Sequence, residues 1–320
     1  MYKPRLLELE ITTNCDLGCS FCYLGDERNR GDMPLFEALR LLDQARDSGV
    51  ERIVFTGGEP LQYSYLEDLV RKANSLGWQP GLLTNGLRIS QDQVSRFREA
   101  ISFLQLSLHA LPSESEQARV VCEQALRLQG LGIPVTVLVT LSAQNIAELD
   151  RFAALLNGLN VHWGVQRMCP MPGVADNGFS PSMADYTRSL KKIWQWMQAS
   201  EILSCEDPLL NIFMPKTYID DVPSDVWSGC SAGRWVAVVS STGWLMPCAK
   251  LRLSDRNVFD VGFATAWQTS DLMATLRVAP PGAACNGCRY YGVCRGCRAV
   301  AYSTTGEVWG KDPLCPIAHD

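Results

Sequence analysis

Ten of the thirteen cysteines in this 320-residue chain fall into two groups. The first is Cys15, Cys19 and Cys22, spaced C-x3-C-x2-C; the second is Cys230, Cys248, Cys285, Cys288, Cys294, Cys297 and Cys315. Short spacings of this kind let one tight loop present two or three thiolates to one metal core, and thiolate is the usual protein ligand of iron–sulfur clusters. A four-iron cluster held by three thiolates leaves one iron open, where a substrate or cofactor can bind. A structural zinc site would want a fourth Cys or His close by, but His109, His162 and His319 are distant in sequence.

The first group sits in Cys15-Asp16-Leu17-Gly18-Cys19-Ser20-Phe21-Cys22-Tyr23, just after an apolar run, and is followed by Ile53-Val54-Phe55-Thr56-Gly57-Gly58-Glu59-Pro60. Together these segments resemble the radical S-adenosylmethionine superfamily. The resemblance implies that Cys15, Cys19 and Cys22 hold a 4Fe-4S cluster whose fourth iron is chelated by S-adenosylmethionine, the source of a 5′-deoxyadenosyl radical. It also implies that Gly57, Gly58 and Glu59 contact the methionine amino group, glycines permitting close backbone approach and the acid accepting from an ammonium.

The elements that must position these residues read as an alternation of apolar strands and amphipathic helices. Strands are expected at 6–12, 52–55, 81–84, 103–108, 134–140 and 161–167. The first helix is expected from an Asp32 N-cap to Gly49, the fourth from Pro112, the fifth from near Asn145 and the sixth from Ser180-Pro181. Six such units predict an α/β fold with a parallel sheet; the family resemblance sharpens this to a partial (β/α)6 barrel. Chemistry in such barrels gathers at the carboxyl ends of the strands. By resemblance, Ser107 and Thr140 hold S-adenosylmethionine there, and Phe21 or Tyr23 packs on its adenine. His109 reads as a surface or satisfied structural residue.

The second cysteine group resembles the SPASM extension, with Gly243 and Cys248 following Cys230, then Cys285-x2-Cys288-x5-Cys294-x2-Cys297 and Cys315. The family's last short spacing is C-x3-C, one residue longer than here. The resemblance implies two auxiliary Fe–S clusters, one on Cys285, Cys288, Cys294 and Cys315, the other on Cys230, Cys248 and Cys297. Seven thiols cannot fill eight positions, so the eighth ligand is Cys205, a carboxylate among Asp220, Asp221 and Asp225, or none; a non-cysteine ligand or an open site is favoured. Arg289, Arg295 and Arg298, interleaved with these cysteines, suit charge compensation of a cluster or a solvated loop. Cys122 reads as a core thiol. Cys169, in Arg167-Met168-Cys169-Pro170, falls at the barrel mouth, either as a hydrogen donor to a substrate radical or as a packed loop residue.

The expected organisation is a barrel over residues 1–200, a bridging segment over 201–229 and an auxiliary-cluster domain over 230–320. A formal charge of −5 argues against nucleic acid or anionic membrane as partner, and no apolar run reaches the roughly 18 residues of a membrane span. Thiol-rich, leaderless and large, the chain is expected to be cytoplasmic. The first functional expectation is an oxidoreductase or maturase that modifies a ribosomal peptide. Because the chain starts almost at its first strand, peptide would come on a separate leader-binding carrier protein, and electrons from a flavodoxin- or ferredoxin-type donor. The alternative is a small-molecule enzyme acting on a sugar, aminoglycoside or tetrapyrrole.

Overall fold

The computed structural model describes residues 2–170, 178–215 and 229–317; Asp220, Asp221, Asp225 and His319 lie outside them. Six strands and their helices alternate as expected: β1 Leu6–Thr12, α1 Leu35–Asp47, β2 Arg52–Gly57, α2 Leu66–Ser75, β3 Gly81–Thr84, α3 Gln91–Phe97, β4 Phe103–Leu108, α4 Glu116–Gly130, β5 Val135–Leu141, α5 Leu149–Gly158, β6 His162–Arg167 and α6 Met183–Met197. The sheet is larger than six strands. β7 (Leu203–Cys205) extends it beyond β6, and β8 (Val236–Val239) pairs in parallel with β1, giving the order β7-β6-β5-β4-β3-β2-β1-β8-β9. Only β9 (Leu245–Met246) runs antiparallel. Four short helices follow: α7 Val258–Val261, α8 Phe263–Thr269, α9 Asp271–Arg277 and α10 Arg298–Thr305.

The pairing of β8 with β1 has a simple cause. Leu7, Leu9 and Ile11 are fully buried, so the β1 edge would expose an apolar strand and its unpaired backbone; the run Val236-Ala237-Val238-Val239 covers it. The cysteine-rich C-terminal part therefore begins inside the barrel's own sheet.

Helix starts depart from the sequence expectation where a capping side chain is needed elsewhere. Asp32 does not cap α1, which opens after Pro34; its carboxylate instead accepts from the Thr12 hydroxyl and from Asn14 Nδ2, tying down the chain that leaves β1. Asn145 is likewise taken, bonding Ser142 N, Thr140 O and His109 O, so a short 3-10 turn at Ile146–Glu148 precedes α5. α4 opens at a Ser115 cap rather than Pro112, and α6 at a Ser182 cap.

One buried ion cluster joins barrel to C-terminus. Arg167, at the end of β6 and 3% exposed, puts Nε 2.8 Å from Asp207 Oδ2 and donates Nη1 to Asp312 Oδ1 at 2.9 Å. Asp207 also accepts from Tyr186 OH at 2.6 Å and Leu209 N at 2.7 Å; Asp312 also accepts from Cys297 N at 2.7 Å. Burial alone would push the Asp312 carboxyl up, but Arg167 holds it below the ordinary range. Removing one partner leaves the others charged and unpaired. Arg167→Met is therefore expected to lower the unfolding free energy by about 3–5 kcal/mol, read by anaerobic chemical denaturation of the reconstituted protein. Exposed Arg71→Met, which loses only a surface pair to Asp68, should leave it within about 0.5 kcal/mol.

Candidate radical site and cysteine clusters

The first cysteine loop is closed on itself by side chains flanking it. Thr13 Oγ1 accepts from the N–H groups of Arg30 and Gly31 at 2.9 and 3.0 Å, and Asn29 Oδ1 accepts from Cys15 N at 2.9 Å. Arg28 reaches across to Leu17 O at 3.1 Å. Three partly exposed thiols result. Burial pushes the Cys15 and Cys19 thiols up, and mutual repulsion among the three sulfurs adds to it, so the thiolates favour a cationic metal core over water. Cys15 Sγ also accepts from Leu17 N at 3.4 Å, a bond that favours thiolate.

The Gly-Gly-Glu segment locks this loop to the barrel. A Cβ on Gly57, whose φ is +134°, would lie 2.1 Å from Thr12 O, and one on Gly58 would lie 2.2 Å from Asn14 O. These glycines are thus required by the approach of β1's own backbone, with Gly58 N donating to Thr12 O and Glu59 N to Asn14 O at 2.8 and 2.7 Å. Glu59 is fully buried. Its carboxylate accepts from Thr84 Oγ1 at 2.7 Å, Leu61 N at 3.0 Å and Asn85 N at 2.8 Å, fastening the ends of β2 and β3. The expected acceptor for an ammonium is therefore already engaged by the protein.

Other expected cofactor contacts spread over the same end of the barrel. Ser107 lies on the half-exposed face of β4, alternating with buried Leu106 and Leu108. Thr140, on β5, accepts from Gln166 Nε2 at 3.0 Å. Phe21 sets its ring edge-on to His109 at 4.8 Å, joining the cysteine loop to the end of β4. Tyr23 turns inward, donating to Gly57 O at 3.2 Å beneath the Arg252 guanidinium. The two aromatics thus sit at different strand ends, Phe21 against the residue after β4 and Tyr23 against the last residue of β2. His109 Nδ1 is buried with no hydrogen-bond partner, as suits a site meant for a polar ligand.

Inside the barrel stands a polar row that sequence reading missed. Glu10, fully buried, pairs with Arg252 at 2.9 Å, and Arg252 also pairs with Glu27 of the cysteine loop. Lys250 Nζ donates to Gln166 Oε1. Burial, then Glu206, push the Glu8 carboxyl up to about 7 against the pull of Lys250. The signal was in β1: Leu7-Glu8-Leu9-Glu10-Ile11 alternates acids with aliphatics in a strand that is covered on both faces, so one face had to look into a polar interior.

The C-terminal thiols divide. Cys285, Cys288, Cys294 and Cys315 line one small cavity whose other walls include Ile212, Tyr290 and Ile317. Gly296 N donates to Cys294 Sγ at 3.3 Å and Arg298 Nη2 to Cys285 Sγ at 3.7 Å. Arg295 and Arg298 are buried, not solvated; Arg289 lies over the Tyr290 ring. Cys248 and Cys297 pack elsewhere, against Leu251, Leu276, Ala299, Val300 and Cys169. Cys169 is 8% exposed, and the nearness of the two thiols lowers that of Cys297 and raises that of Cys169. Cys230 is held at its backbone by Cys294 O and Arg295. Cys205 lies on β7 beside Asp207, and Cys122 is buried in α4. Among the described residues no three His, Cys, Asp or Glu side chains converge closely enough to hold a single ion.

Residues 9–156 match the Radical SAM superfamily model. This stretch is a radical SAM domain. Its family implies S-adenosylmethionine and a 4Fe-4S cluster, which the three-thiol loop and the unpartnered His109 nitrogen fit. Over its whole length the chain is similar to the AdoMet-dependent heme synthase of Methanosarcina barkeri, 26% identical over 336 residues covering 98% of this chain and 96% of that one. The enzyme of the same name from Oleidesulfovibrio alaskensis is 26% identical, with 97% and 87% covered. In fold, the chain resembles Streptococcus suis SuiB bound to precursor peptide SuiA, at TM-score 0.80 and 20% identity, with 99% and 77% covered. It also resembles anSMEcpe with bound AdoMet and Cp18Cys peptide, at TM-score 0.76 and 15% identity, with 97% and 93% covered. Among the described residues no helix is long and apolar enough to cross a membrane.

Two outcomes follow for the radical SAM domain. Gly58→Ala should force the cysteine loop off β2, so the anaerobically reconstituted variant should hold about four fewer irons per chain than the parent. Gly130→Ala, where a Cβ meets open space, should hold the parental amount. His109, pushed down to about 4 by burial, is neutral at pH 7. Because the unfolded chain takes up that proton near pH 6.5, stability is expected to fall as pH drops from 6.5 towards 4, by at most about 1.4 kcal/mol per pH unit. His109→Gln should flatten that slope in thermal unfolding across the window.

Proposed function

We propose that this chain is a radical S-adenosylmethionine enzyme with two auxiliary iron–sulfur clusters that acts on a tetrapyrrole in heme synthesis. The observation that carries the reading is the reach of its likeness to heme synthases, 97–98% of the chain and therefore both cysteine groups. When bound, S-adenosylmethionine and the cluster on Cys15, Cys19 and Cys22 supply a 5′-deoxyadenosyl radical that removes a hydrogen atom from substrate, after reduction by a flavodoxin- or ferredoxin-type donor.

The chain's own groups have distinct tasks in this reading. Phe21, His109, Ser107 and the backbone at Gly57 and Gly58 line the cofactor's place at the strand ends. Lys250, fixed by Gln166, offers a cation facing the barrel interior to a carboxylated substrate. Glu8, poised near neutrality, can hold or release a proton there. The cavity walled by Cys285, Cys288, Cys294 and Cys315 takes one auxiliary cluster, and buried Arg298 beside Cys285 offsets its negative charge. The second reading is a peptide substrate presented by a carrier protein, favoured by the fold shared with SuiB, whose structure holds its precursor peptide.

The test is 5′-deoxyadenosine formation by the reconstituted enzyme under reducing, anaerobic conditions. Carboxylated tetrapyrroles are expected to raise it at least about tenfold over the substrate-free background, about 1.4 kcal/mol in barrier, with a new tetrapyrrole mass in the product. Stimulation by a peptide and its carrier, with none by tetrapyrroles, would replace this reading with the second.

A further inference from the structure

We propose that Cys169 is the eighth ligand of the auxiliary clusters, completing with Cys248 and Cys297 the second C-terminal site. The sequence offered Cys205, a nearby carboxylate or an open position for that role. The fold brings a different thiol to the place, from the far side of the chain.

Three connections hold it there. Cys169 shares one apolar pocket with Leu251, Leu276, Ala299 and Val300, against which Cys248 and Cys297 are packed. Cys297 is packed against the same apolar cluster that holds Cys169. The end of β6, two residues before it, is also keyed to both partners. Gln166 accepts from Lys250, whose N–H donates to Cys248 Sγ at 3.4 Å. Arg167 pairs with both carboxylate oxygens of Asp312, and Asp312 Oδ2 also accepts from Cys297 N at 2.7 Å. Residues 166, 167 and 169 therefore set the end of β6 against the two segments that bear Cys248 and Cys297.

The rival thiol is placed otherwise. Cys205 is registered against Val165 within the sheet and packs against the main core rather than against the cluster that holds Cys169. Three sulfurs from three separate segments in one dry pocket are what a cluster needs and what a core packing thiol does not. The remaining position then falls to Cys230, whose N–H donates to Cys294 O at 2.9 Å. In this arrangement Cys169 is occupied as a ligand and is not the hydrogen donor expected at the barrel mouth. It also ties the second cluster to the segment that leaves β6.

The inference rests on the reading of the C-terminal cysteines as two auxiliary clusters, and the parent protein tests that separately. In a Cys15→Ala, Cys19→Ala, Cys22→Ala background, about eight irons per chain are expected; about four or fewer would sink the two-cluster reading before any further variant is made. Into this background Cys169→Ala and Cys169→Ser are introduced, with Cys205→Ala as comparison, and iron content and low-temperature EPR of the reduced protein are recorded. With native-like circular dichroism, the Cys169 variants should lose or alter the signal of one auxiliary cluster, iron falling by up to about half, while the other signal persists and Cys205→Ala matches the parent. Unchanged iron with unchanged EPR in both Cys169 variants overturns the assignment. So does equal loss of both clusters in both variants, which would mark a packing role.

Discussion

A guanidinium between two carboxylates, all three dry, is the constraint on which the rest of this molecule depends. Arg167 closes the last of the six barrel units, Asp207 begins the segment after β7, and Asp312 lies near the C-terminus. None of the three charges can be solvated where it sits, so each is tolerable only while the other two are in place. The cluster therefore makes barrel and C-terminal region mutually dependent. A second buried pair, Arg252 with Glu10, repeats the device with the donor on the C-terminal side, and Glu27 extends it to the radical-site loop.

Both clamps lie next to cysteines, and this placement explains how chemistry and stability are coupled. Asp312 accepts from Arg167 at both oxygens and also from Cys297 N–H, while Arg252 covers Tyr23, adjacent to Cys22. Burial raises the thiols of Cys15, Cys19, Cys248 and Cys294, which favours the protonated form in the bare protein. A metal core that takes the thiolate must repay that cost, so cluster assembly and native packing reinforce one another. The N–H donors to Cys15, Cys248 and Cys294 are already aimed at sulfur.

The Gly-Gly-Glu segment has a structural task that its motif did not announce. Its glycines make room for the β1 backbone, and its acid is consumed by Thr84, Leu61 and Asn85. Its physical work is to hold the cysteine loop, β2 and β3 in one rigid unit, so that whatever binds the loop is presented to the strand ends at a fixed angle. Precision at a radical site has the same source, because positioning depends on scaffold that does not yield.

Local pattern determined much of this protein. Alternating apolar strands and helices carried the parallel α/β sheet, because that pattern is set by near neighbours along the chain, and short cysteine spacings carried the expectation of iron–sulfur chemistry for the same reason. A helix start was misread at Asp32, where a good capping residue was spent on a tertiary bond instead, whereas the fifth helical run does open at Asn145, through a 3-10 turn. What only the tertiary structure decided was long-range pairing: β8 on β1, Arg167 on Asp312, Lys250 on Gln166, and Cys169 beside Cys297 rather than free at the barrel mouth. These partners stand 84 to 230 residues apart in the chain or belong to unlike motifs, so no spacing rule joins them. They meet because a buried charge or an uncovered strand edge must find a partner, and the folded barrel leaves each only one within reach.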